Sequence, residues 1–269
     1  MTIRPGFLIG AAALAVVMVG LSQSRALAAD LTARQVTSRL FRADRAAPPD
    51  FSNMDLRELD MSGLNFKGAT LKGSDLFGAD LSGADLSKTD LSDARLDRVI
   101  LIGARLDGAN LAGATMLRPS AFSSLSATVG EASSFAGADL RDAKIFGRFN
   151  HANLSGANLT GATLAPFNET GFIEYIWRTE LTDANLSGAT LAGADLSYTL
   201  LAFSSLRGAD LSRAVLKNAD LTRADLTGAD LTGADLSGAD LYGANLTGVR
   251  GLETAVGLER AHNFEKTIR

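Results

Sequence analysis

Cysteine is absent from the 269 residues, histidine occurs twice, tryptophan once and proline five times. Without cysteine there is no disulfide framework, no thiolate nucleophile and no thiolate metal ligand. The two histidines, His151 and His262, are far apart in the chain, which leaves little material for a Ser-His-Asp arrangement or a histidine-built metal centre. Positive charge is in deficit, with 26 Lys and Arg against 30 Asp and Glu. That balance argues against binding nucleic acid by neutralising phosphates. The apolar stretch from Phe7 to Leu21 is fifteen residues long, short of the roughly twenty that span a bilayer.

What the chain has in abundance is leucine at a fixed interval. From Leu181 to Leu246 it recurs at every fifth residue, fourteen times, and the residue two before each is Ala in eleven copies and Thr179, Thr199 or Ser204 in the others. On an α-helix, residues five apart point in directions about 140° different, so these leucines would share no face. On a flat strand an odd spacing throws them to alternate sides. A chain that turns a corner once per five residues points every Leu, and the small residue two before it, inward. Four corners close a square coil of twenty residues, and stacked coils pair at a spacing of about 4.8 Å. Gly at 188, 193, 208, 228, 233, 238, 243 and 248 falls two after the Leu, where turn dihedrals favour it. Asp183, Arg213, Asn218 and Arg223 take other copies of that place.

Units such as Ala224-Asp225-Leu226-Thr227-Gly228 and Ala234-Asp235-Leu236-Ser237-Gly238 resemble the A(D/N)LXX motif of the pentapeptide-repeat family. The resemblance covers about three quarters of the chain and implies an all-β fold, a right-handed quadrilateral β-helix with Leu and Ala inward. A fold of this kind serves several purposes and does not by itself name an activity.

Residues 1–28 read as a signal peptide, with Arg4 before the apolar stretch and Ala26-Leu27-Ala28 as a small-x-small cleavage pattern, or as an uncleaved anchor. Export to a bacterial periplasm or an equivalent lumen follows from the first reading. Loss of Arg4 and Arg25 takes the formal charge from −4 to −6. In residues 29–50, Leu31, Val36, Leu40 and Phe41 have helical spacing with Arg34, Arg39, Arg42 and Arg45 among them, and Pro48-Pro49 stops the segment. The expectation is a helix laid over the open end of the first coil; the alternative is a basic element for a partner or membrane surface.

The repeats run over 51–249, nearly ten coils and about 45 to 50 Å of rod at the inter-strand spacing. Met54, Leu59 and Leu64 stand where Ala stands later and close the rod end with apolar volume. Residues twenty apart should be neighbours, which places Asp75 beside Arg95 and Asp85 beside Arg105. Between 117 and 180 the count slips: Met116 to Leu125 is nine residues, Phe135, Leu140 and Ile145 take a new phase, and Leu154, Leu159 and Leu164 another. Leu164 to Leu181 is seventeen, two more than three repeats, so the slips cancel and one continuous rod with bulges is expected. After Leu246 the spacing becomes six in residues 250–269, which marks a C-terminal cap or an oligomer contact at the rod end.

No catalytic, cofactor-binding or metal-binding residue is expected. The Asp residues at 210, 220, 225, 230, 235 and 240 read as turn formers, with a cation-binding surface as a lesser alternative. Partner binding falls instead to the segment from Ala165 to Glu180, where Phe167, Phe172, Tyr175 and Trp177 gather aromatics, either protruding from the rod or folded back over it. The function expected is a non-enzymatic exported rod with a protein partner. The resemblance also suggests an acidic DNA mimic acting on a type II topoisomerase, although Arg207, Arg213, Lys217 and Arg223 interrupt the acidic block.

Overall fold

The computed structural model describes residues 29–43, 47–121, 128–166 and 178–269. The segment read as a signal peptide, residues 1–28, lies outside them.

The unit of the fold is one corner and one rung. In the repeat around Leu221, the Ala224 N–H donates to Leu221 O at 2.9 Å and closes a four-residue turn. Its third residue, Arg223, has φ 54°, the positive value that a type II turn requires. The next residues form the rung: Asp225 N–H donates to Ser204 O one coil back, and Leu226 N–H to Asn245 O one coil on, each at 2.9 Å. Four such units make a square, right-handed coil, and the coils stack as a quadrilateral β-helix. The central residues, from Phe51 and Leu56 through Leu241, are buried with the alanines beside them. At some corners a hydroxyl replaces that alanine and turns back on its own corner, as Ser74 Oγ does to Leu71 O and Ser204 Oγ to Leu201 O, both at 2.7 Å.

The aspartates that precede the leucines are turn formers. Oδ1 of Asp210, Asp220 and Asp230 each accepts the amide two residues on at 2.9 Å. The Thr232 hydroxyl and then its amide hold the Asp230 carboxyl below its ordinary value, and Ser62 does the same for Asp60.

Asp75 and Arg95 stand on adjacent rungs, with Arg95 Nη1 3.4 Å from Asp75 Oδ2. Asp85 and Arg105 are adjacent as well, but the Arg105 guanidinium turns to Asp107 at 3.5 Å instead. An exposed arginine has two carboxylates within reach, and register alone does not choose between them.

One side of the square runs unbroken through ten rungs joined by nine coil steps, from Asp50 to Arg250. Its steps are twenty residues except at three places: Asn110 to Asp139 is twenty-nine, Asp139 to Asn158 nineteen and Asn158 to Thr190 thirty-two. The rod is therefore continuous, but residues 51–246 hold fewer coils than their number suggests, because two inserts leave the ladder. Leu125, read as the next core leucine, lies outside the described residues; the core passes from Ala121 to Phe135, with Ser133 at the small inward place. Phe149 then follows Ile145 after four residues, and this short side accounts for the nineteen-residue coil. One longer pairing marks the region: β1 (Thr115–Leu117) and β2 (Lys144–Phe146) run parallel.

Helix α1 (Ala33–Arg42) starts at a capping box between Thr32 and Gln35 and lies over the first coil. Val36 and Leu40 are buried, while Phe41, expected inward, is 86% exposed. The reason is geometric: residues 36 and 40 stack on one helix face, and residue 41 projects about 100° away from 40. Lys67 Nζ donates to Leu40 O at 2.8 Å at the helix C-terminus, and Met54, Leu59 and Leu64 are half-buried at this end. At the far end the six-residue sides turn through short 3-10 segments at Leu252–Thr254, Leu258–Arg260 and Phe264–Lys266. They form a further coil that still pairs with the one before, through Val256, His262 and Ile268.

Candidate functional site

The aromatic residues expected to bind a partner, Phe167, Phe172, Tyr175 and Trp177, lie outside the described residues. What is described is the footing of their segment. Arg148 pairs directly with Glu180, thirty-two residues on and twelve more than a regular coil. The Thr179 hydroxyl donates to Leu164 O at 2.6 Å, so the two ends of the insert are joined at one corner. Thr179 and Leu164 are both buried there.

Beside this footing is a surface cleft of about 260 Å³ lined by Arg118, Pro119, Phe146, Gly147, Arg148, Arg178 and Glu180. Glu180 accepts from Arg148 Nε at 3.2 Å and from Asn150 Nδ2 at 2.7 Å. Arg178 stands two residues before Glu180 as Arg118 stands two before Ser120, so the two insertions bring guanidinium groups from distant parts of the chain onto one side. No reading of the sequence found this cluster. The one signal, arginines spaced by thirty at 118, 148 and 178, has meaning only once the insert lengths are known.

Deeper in the same region is a small apolar void of about 10 Å³, lined by Met116, Phe135, Ile145, Phe149 and Leu181 among others. It has room for about one water but no polar wall to hold it. The rings of Phe135 and Phe149 meet edge to face at 6.1 Å beside it.

His151 sits at a corner with φ 60°, and its Nδ1 lies 2.9 Å from Asp183 Oδ2 on the neighbouring coil. Among the described residues no hydroxyl is bonded to the ring, so no nucleophile completes the pair. Nor do three or more His, Asp or Glu among them gather where they could hold a metal ion. No helix among them is long and apolar enough to cross a membrane.

The profile of pentapeptide repeats matches residues 50–73, 74–113, 133–165, 179–218 and 209–248, in eight copies. No curated protein sequence matches. Among solved structures, the chain is similar to HetL from the cyanobacterium Nostoc, a pentapeptide-repeat protein involved in regulating heterocyst differentiation. Identity there is 30% over 81% of this chain and 90% of that one, with a TM-score of 0.36. It is also similar to QnrB1, a plasmid-mediated fluoroquinolone resistance protein, at 18% identity over 78% of this chain and 93% of that one, TM-score 0.41. A pentapeptide-repeat protein of the Arabidopsis thaliana thylakoid lumen matches at 26% identity over 48% of this chain and 76% of that one, TM-score 0.17. With the repeat profile covering more than half of its length and five-residue corners observed over most of the described rod, the chain belongs to the pentapeptide-repeat family.

Proposed function

We propose that the chain is a non-enzymatic rod, exported to the periplasm or an equivalent lumen, that presents the insert carrying Phe167, Phe172, Tyr175 and Trp177 to a protein partner. The observation that supports this is the direct pairing of Arg148 with Glu180 across the insert. The rod's continuity does not depend on the residues between, so a cluster of large aromatics there answers to something other than the repeat. The acidic-mimic reading has less support. Asp225, Asp235 and Asp230 have Arg207, Lys217 and Arg250 at 2.8, 3.3 and 3.3 Å, so the acidic block carries its own counter-charges along the rod.

The test replaces the four aromatics by serine and compares cross-linked partners in the exported fraction. The proposal expects a protein held by the wild type and lost by the variant, with the mature N-terminus at Ala29. Identical partners from both, or a chain that stays in the cytoplasm and inhibits gyrase supercoiling, would overturn it.

A further inference from the structure

We propose that the last coil of the rod pairs, backbone edge to backbone edge, with the last coil of a second copy of this chain, about a two-fold axis. This reading does not depend on what the insert binds.

Unpaired backbone groups are the first argument. The amides of Arg250 and His262 donate back to Ala229 O and Ala239 O at 2.9 and 2.8 Å, and their carbonyls accept from Leu231 and Leu241 at 2.8 and 3.0 Å. A trans peptide holds its N–H and C=O on opposite sides, and no peptide bond among the described residues is cis. The carbonyls of Val249 and Ala261 and the amides of Gly251 and Asn263 therefore point away from the coil before. None of the four has a hydrogen-bond partner among the described residues. An edge of this kind is a template for another strand. A residue with an open C=O before it and an open N–H after it matches an identical residue on an antiparallel strand, each C=O meeting an N–H. Two copies joined end to end about a two-fold axis present their sides to one another in that antiparallel sense.

The opposite end of the rod decides which end of the second copy fits. There helix α1 lies over the first coil, and Asp30 takes both backbone groups of Asp55. The Asp30 amide donates to Asp55 O and the Asp55 amide to Asp30 Oδ2, each at 2.7 Å. Head-to-tail stacking, which would continue the parallel ladder, needs that end open. The contact left is tail to tail, which closes at two copies.

Side chains at the end agree. Val249, Leu252, Ala255, Leu258, Ala261 and Phe264 are half-buried around the last coil. Val256 and Ile268 are 51% and 56% exposed, where the coil before has Asp235 and Asn245. Setting the Arg250 side of one copy over the His262 side of the other keeps the two Arg250 apart and brings Val256 and Ile268 each against its own counterpart, as cross-strand apolar pairs. From Gly251 to Arg269 the carboxylates of Glu253, Glu259 and Glu265 are balanced by Arg260, Lys266 and Arg269, on a chain of formal charge −4. Two such ends meet without net repulsion.

The experiment is sedimentation of the full chain over a range of concentrations, with thermal unfolding of every variant as the control for folding. The chain should form dimers that dissociate on dilution. Val256→Lys and Ile268→Lys change exposed side chains that occur twice in each dimer, so each should weaken it about tenfold or more. Phe41→Ser, at the other end, should leave it unchanged. Hydrogen exchange reads the edge itself: the amides of Gly251 and Asn263 should exchange more slowly in the concentrated chain than in the dilute one, with those of Arg250 and His262 protected in both. A single rod at about 1 mM, open-ended polymers, dimers unaltered in folded Val256→Lys and Ile268→Lys, or exchange at Gly251 and Asn263 that ignores concentration would each overturn the proposal.

Discussion

The block from Leu181 to Leu246 and the stretch from Met116 to Thr179 obey the same ladder, yet they use their side chains differently. In the block nearly every side chain is accounted for by the repeat: Leu and Ala fill the interior, and Asp Oδ1 takes the amide two residues on. In the middle the ladder steps change from twenty to twenty-nine, nineteen and thirty-two. There the interior has a small void, and arginines and aromatics appear that no rung requires. Side chains that no rung requires gather where the repeat's demands relax, whereas in the block most aspartates already serve the turns.

The largest expected effect separates the two interiors. Leu211 is stacked between Leu191 and Leu231 and is fully buried, so Leu211→Ala should cost about 3 to 4 kcal/mol. Leu154 borders the void and is slightly exposed, and Leu154→Ala should cost about 1 kcal/mol less, since its surroundings can collapse further. Chemical denaturation of the two variants measures this; equal losses would mean that the middle is packed as tightly as the block.

Glycine replacement should sharpen the contrast. Gly188 is a corner residue at φ 65°, and a Cβ added there would meet no described atom within 4 Å, so Gly188→Ala carries only left-handed strain, about 1 kcal/mol. Gly147→Ala instead drives a methyl group against buried Pro119 and should cost about 2 kcal/mol. The thermal midpoint should fall further for Gly147→Ala; the reverse order would show that the short side has room to spare.

Two threonines at the small inward place make a smaller test. Thr179 joins the ends of the insert through Leu164 O, so Thr179→Ala should lose about 1 to 2 kcal/mol. The Thr199 hydroxyl is buried without a partner among the described residues, so Thr199→Ala should be neutral or slightly stabilising. Chemical denaturation again separates them, and equal losses would deny Thr179 its role at the corner.

Acid should act chiefly on the regular block. Its carboxyls at Asp225, Asp230 and Asp235 lie below their ordinary value in the folded chain; the hydroxyl and amide two residues on favour the ionised forms, against burial in Asp225 and Asp235. The middle places neutral Asn153 and Asn158 at the same points, although Asp139 is held down by Arg141. A group with a lowered folded pKa stabilises above its unfolded value, near 3.9, and loses that contribution as pH falls through the folded value. Thermal unfolding between about pH 6 and pH 3 should therefore show a falling midpoint, with the block losing more than the middle. A flat midpoint would remove the carboxyls from the account.

Much of the fold was legible because one geometric fact, the corner every five residues, determines the interior, the rungs and neighbours such as Asp75 and Arg95. Phe41 escaped because spacing alone does not say which of two adjacent apolar residues faces the coil. Arg105 escaped because register names the neighbours of a long side chain without choosing between them. The arginine cleft was illegible for a different reason. Its members become neighbours only through skips of twenty-nine and thirty-two residues, and arithmetic modulo five recovers the phase but not how many residues leave the stack.

Continuity of the ladder across the second insert is the central claim, and native-state hydrogen exchange tests it residue by residue. The Glu180 amide donates to Gly147 O at 2.9 Å and the Asn185 amide to Ala152 O at 3.0 Å, both across the thirty-two-residue skip. The amides of Asp210 and Asp225 make the equivalent bonds, each at 2.9 Å, inside the block. Glu180 and Asn185 should exchange as slowly as Asp210 and Asp225. Rapid exchange at Glu180 and Asn185 alone, with the block still protected, would mean two separate half-rods and would contradict the account.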